Sequence, residues 1–171
     1  MAETNQTTSL SQYLTFNMAS EKYGVDVTNV RNILENTSIT KLPKTPGFLL
    51  GVLNDRGGVL PVVDLRLKFG MPKGETTIDT CVIVVETAFD TQAIFIGVLV
   101  DSVEEVIDLE VENIEPPPRI GTGLNIDFIQ GMGKRGEQFI TLLNIAKVFS
   151  DDDRTQLETA SHEQDAVPTG A

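Results

Sequence analysis

The chain has 171 residues, 40% of them hydrophobic, and its 25 acidic side chains outnumber 13 basic ones to give a formal net charge of −12. That length fits one domain or two small packed ones, and no apolar run is long enough to span a bilayer. The excess of carboxylates argues against nucleic acid and against anionic membrane surfaces, both of which are bound through Lys and Arg.

Residues 1–12 (MAETNQTTSLSQ) are polar and read as a loose arm. They lack the basic stretch followed by an apolar one that marks a secretory signal, so a cytoplasmic location is expected. Residues 13–18 alternate as a strand does, 19–22 turn, and 23–27 return, which makes a hairpin. Val30, Ile33 and Leu34 continue the apolar pattern until Asn36-Thr37-Ser38 breaks it. Beyond Pro43 and Pro46, strands over 48–53 and 59–63 flank the polar turn Asn54-Asp55-Arg56-Gly57-Gly58. Asp64 is placed to cap a short helix, LRLKF, that Gly70 ends.

The same plan then recurs. Strands are expected over 80–86 and 93–100, an apolar continuation over 103–109, and a stiff break at Pro116-Pro117-Pro118. Strands over 128–132 and 138–143 flank Gly133-Lys134-Arg135-Gly136, and Asn144 is placed to cap a second short helix. Residues 151–171 form an acidic tail. Asp151, Asp152 and Asp153 suit a first helical turn, the helix is expected to end at about residue 158, and the remainder to be disordered. About five short strands per copy suggest small closed barrels.

The recurrence is visible letter by letter. Residues 48–69 (FLLGVLNDRGGVLPVVDLRLKF) align without a gap on 128–149 (FIQGMGKRGEQFITLLNIAKVF), with Phe48/Phe128, Gly51/Gly131 and Phe69/Phe149 identical. Residues 23–34 (YGVDVTNVRNIL) align on 96–107 (IGVLVDSVEEVI), with Gly24/Gly97, Val25/Val98, Val27/Val100 and Val30/Val103 identical. Two similar small modules leave a seam, and seams are common binding places.

Catalytic chemistry has little to work with. His162 is the only histidine and lies in the acidic tail, so histidine-dependent triads and most zinc sites have no member. Gly131-Met132-Gly133-Lys134 lacks the spacing of a phosphate-binding loop and sits in a hairpin. The carboxylates from Glu104 to Glu115 do not have calcium-loop spacing and read as a solvated strand face. Cys81, the one cysteine, stands in the apolar run TCVIVV and reads as a buried, inert thiol. No catalytic residue, cofactor or metal is expected.

The run GVLNDRGGVLPVVDLRLKFG (51–70) resembles the signature of the CheW family of bacterial chemotaxis coupling proteins. That signature is Gly-apolar-apolar-Asn-x-Arg-Gly, an apolar run, Pro, then Asp-Leu-Arg. EKYGVDVTNV (21–30), TCVIVV (80–85), IGVLVDSVEEV (96–106) and IEPPP (114–118) are similar to family segments too, so the resemblance covers 13–150. It implies an all-β fold of two intertwined five-stranded SH3-like β-barrels with short connecting and C-terminal helices. The two subdomains would span 13–70 and 78–150, and strands can be exchanged between them. It also implies a non-catalytic adapter that couples the cytoplasmic tips of chemoreceptors (methyl-accepting chemotaxis proteins) to the regulatory domain of the histidine kinase CheA, in arrays anchored at the membrane.

For this chain the resemblance implies kinase contacts at Asn54, Asp55, Arg56 and Gly57. It implies a receptor groove lined by Val30, Ile33, Val98 and Val103. From the residues alone, Arg56 is an exposed turn charge and the four valine and isoleucine positions are core. Asn32 stands where the family commonly has Glu, and Asp55 where it has an apolar residue. The family Glu pairs with the motif arginine, here Arg56, and Asn32 cannot supply that charge. Three other readings stand beside the adapter: a CheW-like scaffold of a sensory pathway other than chemotaxis, a small acid-catalysed hydrolase, which no constellation of residues supports, and an oligonucleotide-binding barrel. Two tyrosines and no tryptophan weigh against the last, which needs bases to stack on aromatic rings.

Overall fold

The computed structural model describes residues 10–35, 38–72, 74–89, 92–117 and 127–166. Eleven strands run in chain order: β1 (Leu10–Met18), β2 (Glu21–Asp26), β3 (Val30–Glu35), β4 (Leu49–Asp55), β5 (Gly58–Val63), β6 (Cys81–Phe89), β7 (Gln92–Val100), β8 (Ser102–Glu110), β9 (Ile114–Glu115), β10 (Ile129–Arg135) and β11 (Gln138–Leu143). Two helices are α1 (Leu65–Lys68) and α2 (Asp151–Ala166). The architecture is all-β, with two sheets and few helices.

The strands pair as β8-β1-β2-β11-β10-β9 in one six-stranded sheet and β3-β6-β7-β5-β4 in a five-stranded one. Neither sheet follows one sequence copy. The first joins the β1–β2 hairpin of the first copy to β8–β11 of the second, and the second joins β6–β7 of the second copy to β3–β5 of the first. The cross-copy contacts are reciprocal. β5 runs parallel to β7 with Val62 opposite Gly97, and β11 runs parallel to β2 with Leu142 opposite Gly24. The repeat makes Gly24 equivalent to Gly97 and Val62 equivalent to Leu142. At both glycines a Cβ would press on the partner strand, at 3.0 Å from Leu142 Cδ2 for Gly24 and 3.1 Å from Leu60 Cδ2 for Gly97.

The core has three parts. Tyr13, Ile107, Leu109, Ile140 and Leu142 fill the first barrel, and Leu53, Leu60, Val62, Val82 and Val84 fill the second. The largest cluster lies between them and draws Leu14, Phe16 and Met18 from β1 together with Ile83, Val85, Ile96 and Val98 from β6 and β7. The run CVIVV is therefore apolar at every position because β6 is buried on both faces: Val82 and Val84 point into the barrel, Cys81, Ile83 and Val85 into the shared core. Four phenylalanines bind the copies at the seam. Phe48 packs on Phe149 with ring centroids 5.7 Å apart, and Phe128 stacks on Phe69 at 4.7 Å. The repeat interchanges these two pairs.

Three expectations are corrected. Leu10, Ser11 and Gln12 are not part of a loose arm but extend β1, where they pair with Glu110, Leu109 and Asp108 of β8; residues 1–9 lie outside the described ones. Asn144 precedes a 3-10 turn (Ile145–Val148) without a side-chain cap bond, unlike Asp64, whose carboxylate accepts from the Arg66 amide at 3.0 Å. The helix of the acidic tail does not stop near 158 but runs 16 residues to Ala166. Its start is a reciprocal cap: the Asp153 amide donates to Ser150 Oγ at 3.1 Å and the Ser150 amide to Asp153 Oδ2 at 3.0 Å. Its length is sustained by packing rather than by composition, because Leu157 and Ala160 are buried in the shared core against β4 and β5. The disorder expected for 167–171 falls outside the described residues.

Leu157→Ala should lower unfolding free energy by about 2–5 kcal/mol, read as a drop in the urea midpoint with the same slope. A second expectation concerns acid. Burial alone would raise the Asp153 carboxyl, but hydrogen bonds from Lys68 Nζ and Ser150 outweigh it and hold it below the ordinary aspartate value. A depressed carboxyl stabilises the fold above its unfolded pKa, and that contribution is lost as pH falls through the lowered value. Asp153→Asn should therefore be less stable than wild type at neutral pH, with the gap closing below about pH 4 in melts taken across pH.

Candidate functional site

The tip of the β4–β5 hairpin is shorter than the sequence suggested. Asp55 and Gly58 still pair, which leaves Arg56 and Gly57 as a two-residue turn with φ of 57° and 80°. Positive φ at both positions is the type I′ pattern, which favours Asn-Gly and suits an arginine poorly. Arg56 is thus held in a conformation that turn chemistry does not ask for. Its side chain is exposed, and among the described residues no hydrogen bond or ion pair holds it. Asn54 and Gly57 are exposed beside it and Asp55 is half-buried.

The other barrel carries a comparison at its equivalent tip. There Arg135 Nη1 donates to Glu105 Oε2 at 3.0 Å, between two exposed side chains. The repeat aligns Glu105 with Asn32 and Arg135 with Asp55, so the second barrel has no such charge pair. Asn32 instead turns its Oδ1 inward, buried and without a hydrogen-bond partner, on the strand face it shares with Val84. Next to it, the Arg31 guanidinium lies 4.4 Å from the centre of the Phe95 ring.

A groove opens on the opposite side of β3. It measures about 370 Å³ and is lined by Ile33, Glu35, Ile78, Asp79, Cys81, Ser102 and Val103. A β-bulge makes this face: Val30 pairs with Val85 but Asn32 with Val84, so Arg31 is the extra residue. Val30, Ile33 and Glu35 then share the face of Val85, Ile83 and Cys81, although Val30 and Ile33 are three apart in sequence. β8 carries the matching irregularity, with Val106 opposite Leu14 and Val103 opposite Phe16, so Val103 and Val106 also share a face.

The sequence-predicted groove residues thus separate. Ile33 and Val103 come together, with Ile33 39% exposed, and Val30 is half-buried on the shared core. Val98 does not join them: at 1% exposure it is core, fixed between Ile83 and Val63 in the sheet, and cannot line a groove. Two apolar positions were missed. Val106, on the Val103 face of β8 but outside the groove lining, is 48% exposed, and its alignment with Ile33 in the repeat was the available signal. Ile78 is 95% exposed in the connection before β6, where no periodicity marks it.

One buried ion cluster sets the groove walls. Arg66, 4% exposed, donates from Nε to Asp64 Oδ1 at 3.2 Å and from Nη1 to Asp101 Oδ1 at 2.8 Å. Asp101 Oδ2 accepts from the Ala19 amide at 2.9 Å in the β1–β2 turn. Asp101 directly precedes Ser102 and Val103 of the groove. A Cβ on Gly74 would lie 1.7 Å from Arg66 Nη1, so the segment leading to Ile78 lies directly against the guanidinium. The motif arginine of Asp-Leu-Arg therefore supports both walls from beneath.

Among the described residues no group of three or more His, Cys, Asp or Glu could hold a metal ion, and no helix is long and apolar enough to cross a membrane. Burial pushes the Cys81 thiol up, with the charges of Glu35 and Asp79 adding to the effect, which leaves it protonated and inert at neutral pH. What the surface offers is shape, apolar area and charge.

Comparison with known proteins follows the same outline. The model of the CheW-like domain matches residues 12–153. The chain is 31% identical over 150 residues to the chemotaxis protein CheW of Klebsiella aerogenes, covering 88% of each. It is 34% identical over 143 residues to the protein FrzA of Myxococcus xanthus, covering 81% of this chain and 84% of FrzA. Among solved structures it superposes on the scaffolding protein TtCheW of Thermoanaerobacter tengcongensis with a TM-score of 0.73 and 34% identity, over 84% of this chain and 94% of that one.

The two arginines should behave oppositely in unfolding experiments. Arg66→Met leaves the fully buried Asp64 carboxylate unpaired and should cost about 3–5 kcal/mol. Arg56→Ala should change stability by no more than about 0.5 kcal/mol. Arg56→Asn, which relaxes the left-handed turn, should raise it by up to about 1 kcal/mol.

Proposed function

The chain belongs to the CheW-like family of chemotaxis scaffold proteins, and from that premise we propose that it joins the regulatory domain of the histidine kinase CheA to the cytoplasmic tips of chemoreceptors, without catalysing a reaction. The kinase contact is assigned to the β4–β5 tip: Arg56, with Asn54, Asp55 and Gly57 shaping its surroundings. The receptor contact is assigned to the groove of Ile33, Ile78 and Val103, with Val30 and Val106 on the adjoining strand faces. The protein then works in the cytoplasm beside membrane-anchored receptor arrays.

The observation that carries this reading is the state of Arg56. A guanidinium held at positive φ, exposed and unpaired among the described residues, adds nothing to the fold. Arginine is a frequent interface anchor because its planar fork bonds bidentately and its plane stacks. The groove supports the second contact for a different reason. Exposed isoleucine and valine beside a shared core suit an amphipathic helix laid into a furrow. No cofactor or metal is required for either contact.

Calorimetry with the kinase regulatory domain and, separately, with a receptor cytoplasmic fragment tests both assignments. Arg56→Ala should weaken kinase binding by about 1–3 kcal/mol and leave receptor binding unchanged. Ile33→Asp should do the reverse, because an unpaired charge in an apolar groove is costly to desolvate. Unchanged kinase affinity in Arg56→Ala refutes the assignment of the tip.

A further inference from the structure

We propose that the groove selects a receptor helix that sets a lysine or arginine beside its apolar ridge, through the carboxylates of Glu35 and Asp79 acting together with Ile78. The inference rests on the reading of the groove as the receptor site and adds what that site recognises.

Ile78 is the first part of the argument. It is 95% exposed, yet it is not on a loose segment. The turn that carries it is closed by three hydrogen bonds: the Thr77 amide to Thr80 Oγ1 at 2.8 Å, the Asp79 amide to Thr77 Oγ1 at 3.1 Å, and the Thr80 amide to the Thr77 carbonyl at 3.2 Å. A large apolar side chain is thus presented to solvent at the rim of an apolar furrow whose floor is Ile33, Cys81 and Val103.

Charge is the second part. Neighbouring acids are already engaged: Asp101 by Arg66, and Glu104 by Lys22 and Asn17. Glu35 and Asp79 have no ion pair among the described residues. They line the same groove beside Cys81: Glu35 is its cross-strand partner, and Asp79 lies two residues before it. An apolar furrow with two unengaged carboxylates repels an acidic segment and attracts a cationic one. A second copy, with a net charge of −12, presents the same sign. The complementary occupant is a partner helix carrying an apolar side chain with a basic one a turn away.

The test uses the full chain and a receptor cytoplasmic fragment, titrated at low and high salt. The double variant Glu35→Lys/Asp79→Lys should bind the fragment about tenfold or more weakly at low salt, with the difference shrinking as salt screens it. Its melting temperature and its affinity for the kinase regulatory domain should stay at wild-type values. Changing one Lys or Arg of the receptor tip to Glu should weaken binding to wild type and restore binding to the double variant. Wild-type binding with the double variant unchanged in affinity and salt dependence overturns this inference alone. Absence of wild-type binding overturns the receptor reading and this inference together.

Discussion

The structure depends on reciprocal exchange between its two copies. Each hairpin of the β1–β2 type completes the barrel of the other copy, through the parallel contacts of β2 with β11 and of β7 with β5. Such contacts need close approach, and Gly24 and Gly97 allow it where a Cβ would strike the facing strand. The four phenylalanines then lock the seam, each copy's first ring against the other's last. Because the shared core is built from both sheets, neither barrel can open without exposing Phe16, Ile83 or Val98. This gives the scaffold rigidity without an internal disulfide, since Cys81 is the one cysteine.

The cluster of Asp64, Arg66 and Asp101 works on that frame. A buried guanidinium is tolerable here because two carboxylates and a tight seat against Gly74 surround it. Asp64 caps α1 and also receives Arg66, so helix start and ion pair are one arrangement. From Asp101 the chain passes into Val103, and from Gly74 toward Ile78. The groove walls therefore share a single fixed point, which keeps a furrow on a rigid body without a domain hinge.

The two proposed contact surfaces differ in their physics. At the β4–β5 tip, one exposed arginine sits in backbone geometry better suited to asparagine or glycine. Around the groove, two bulges bring positions three apart onto one face of β3 (Val30, Ile33) and of β8 (Val103, Val106), and Ile33 and Val103 line it. The first surface concentrates its interaction in one charge, and the second spreads it over area. A linker of two different partners gains from such a division, because a change at one surface leaves the chemistry of the other intact.

Residues 48–69 and 128–149 by themselves established the duplication, the alternating strands, the turn around Arg56 and the family. They could do so because strand periodicity, turn residues and short motifs are local properties. The alternation in Val30–Leu34 and 96–107 could not say which copy each strand would join, since equivalent positions offer equivalent apolar faces. Nor could it separate Val98 from Val103. Both are valines in β-rich runs, and only strand pairing put one between Ile83 and Val63 and the other at a groove. The bulges at Arg31 and in β8 shift faces without leaving a mark in hydropathy. The length of α2 was hidden for a similar reason: two residues, Leu157 and Ala160, carry its burial, and their value depends on β4 and β5 lying beneath them. Local pattern determined what each segment is; long-range pairing and shared burial decided where it faces.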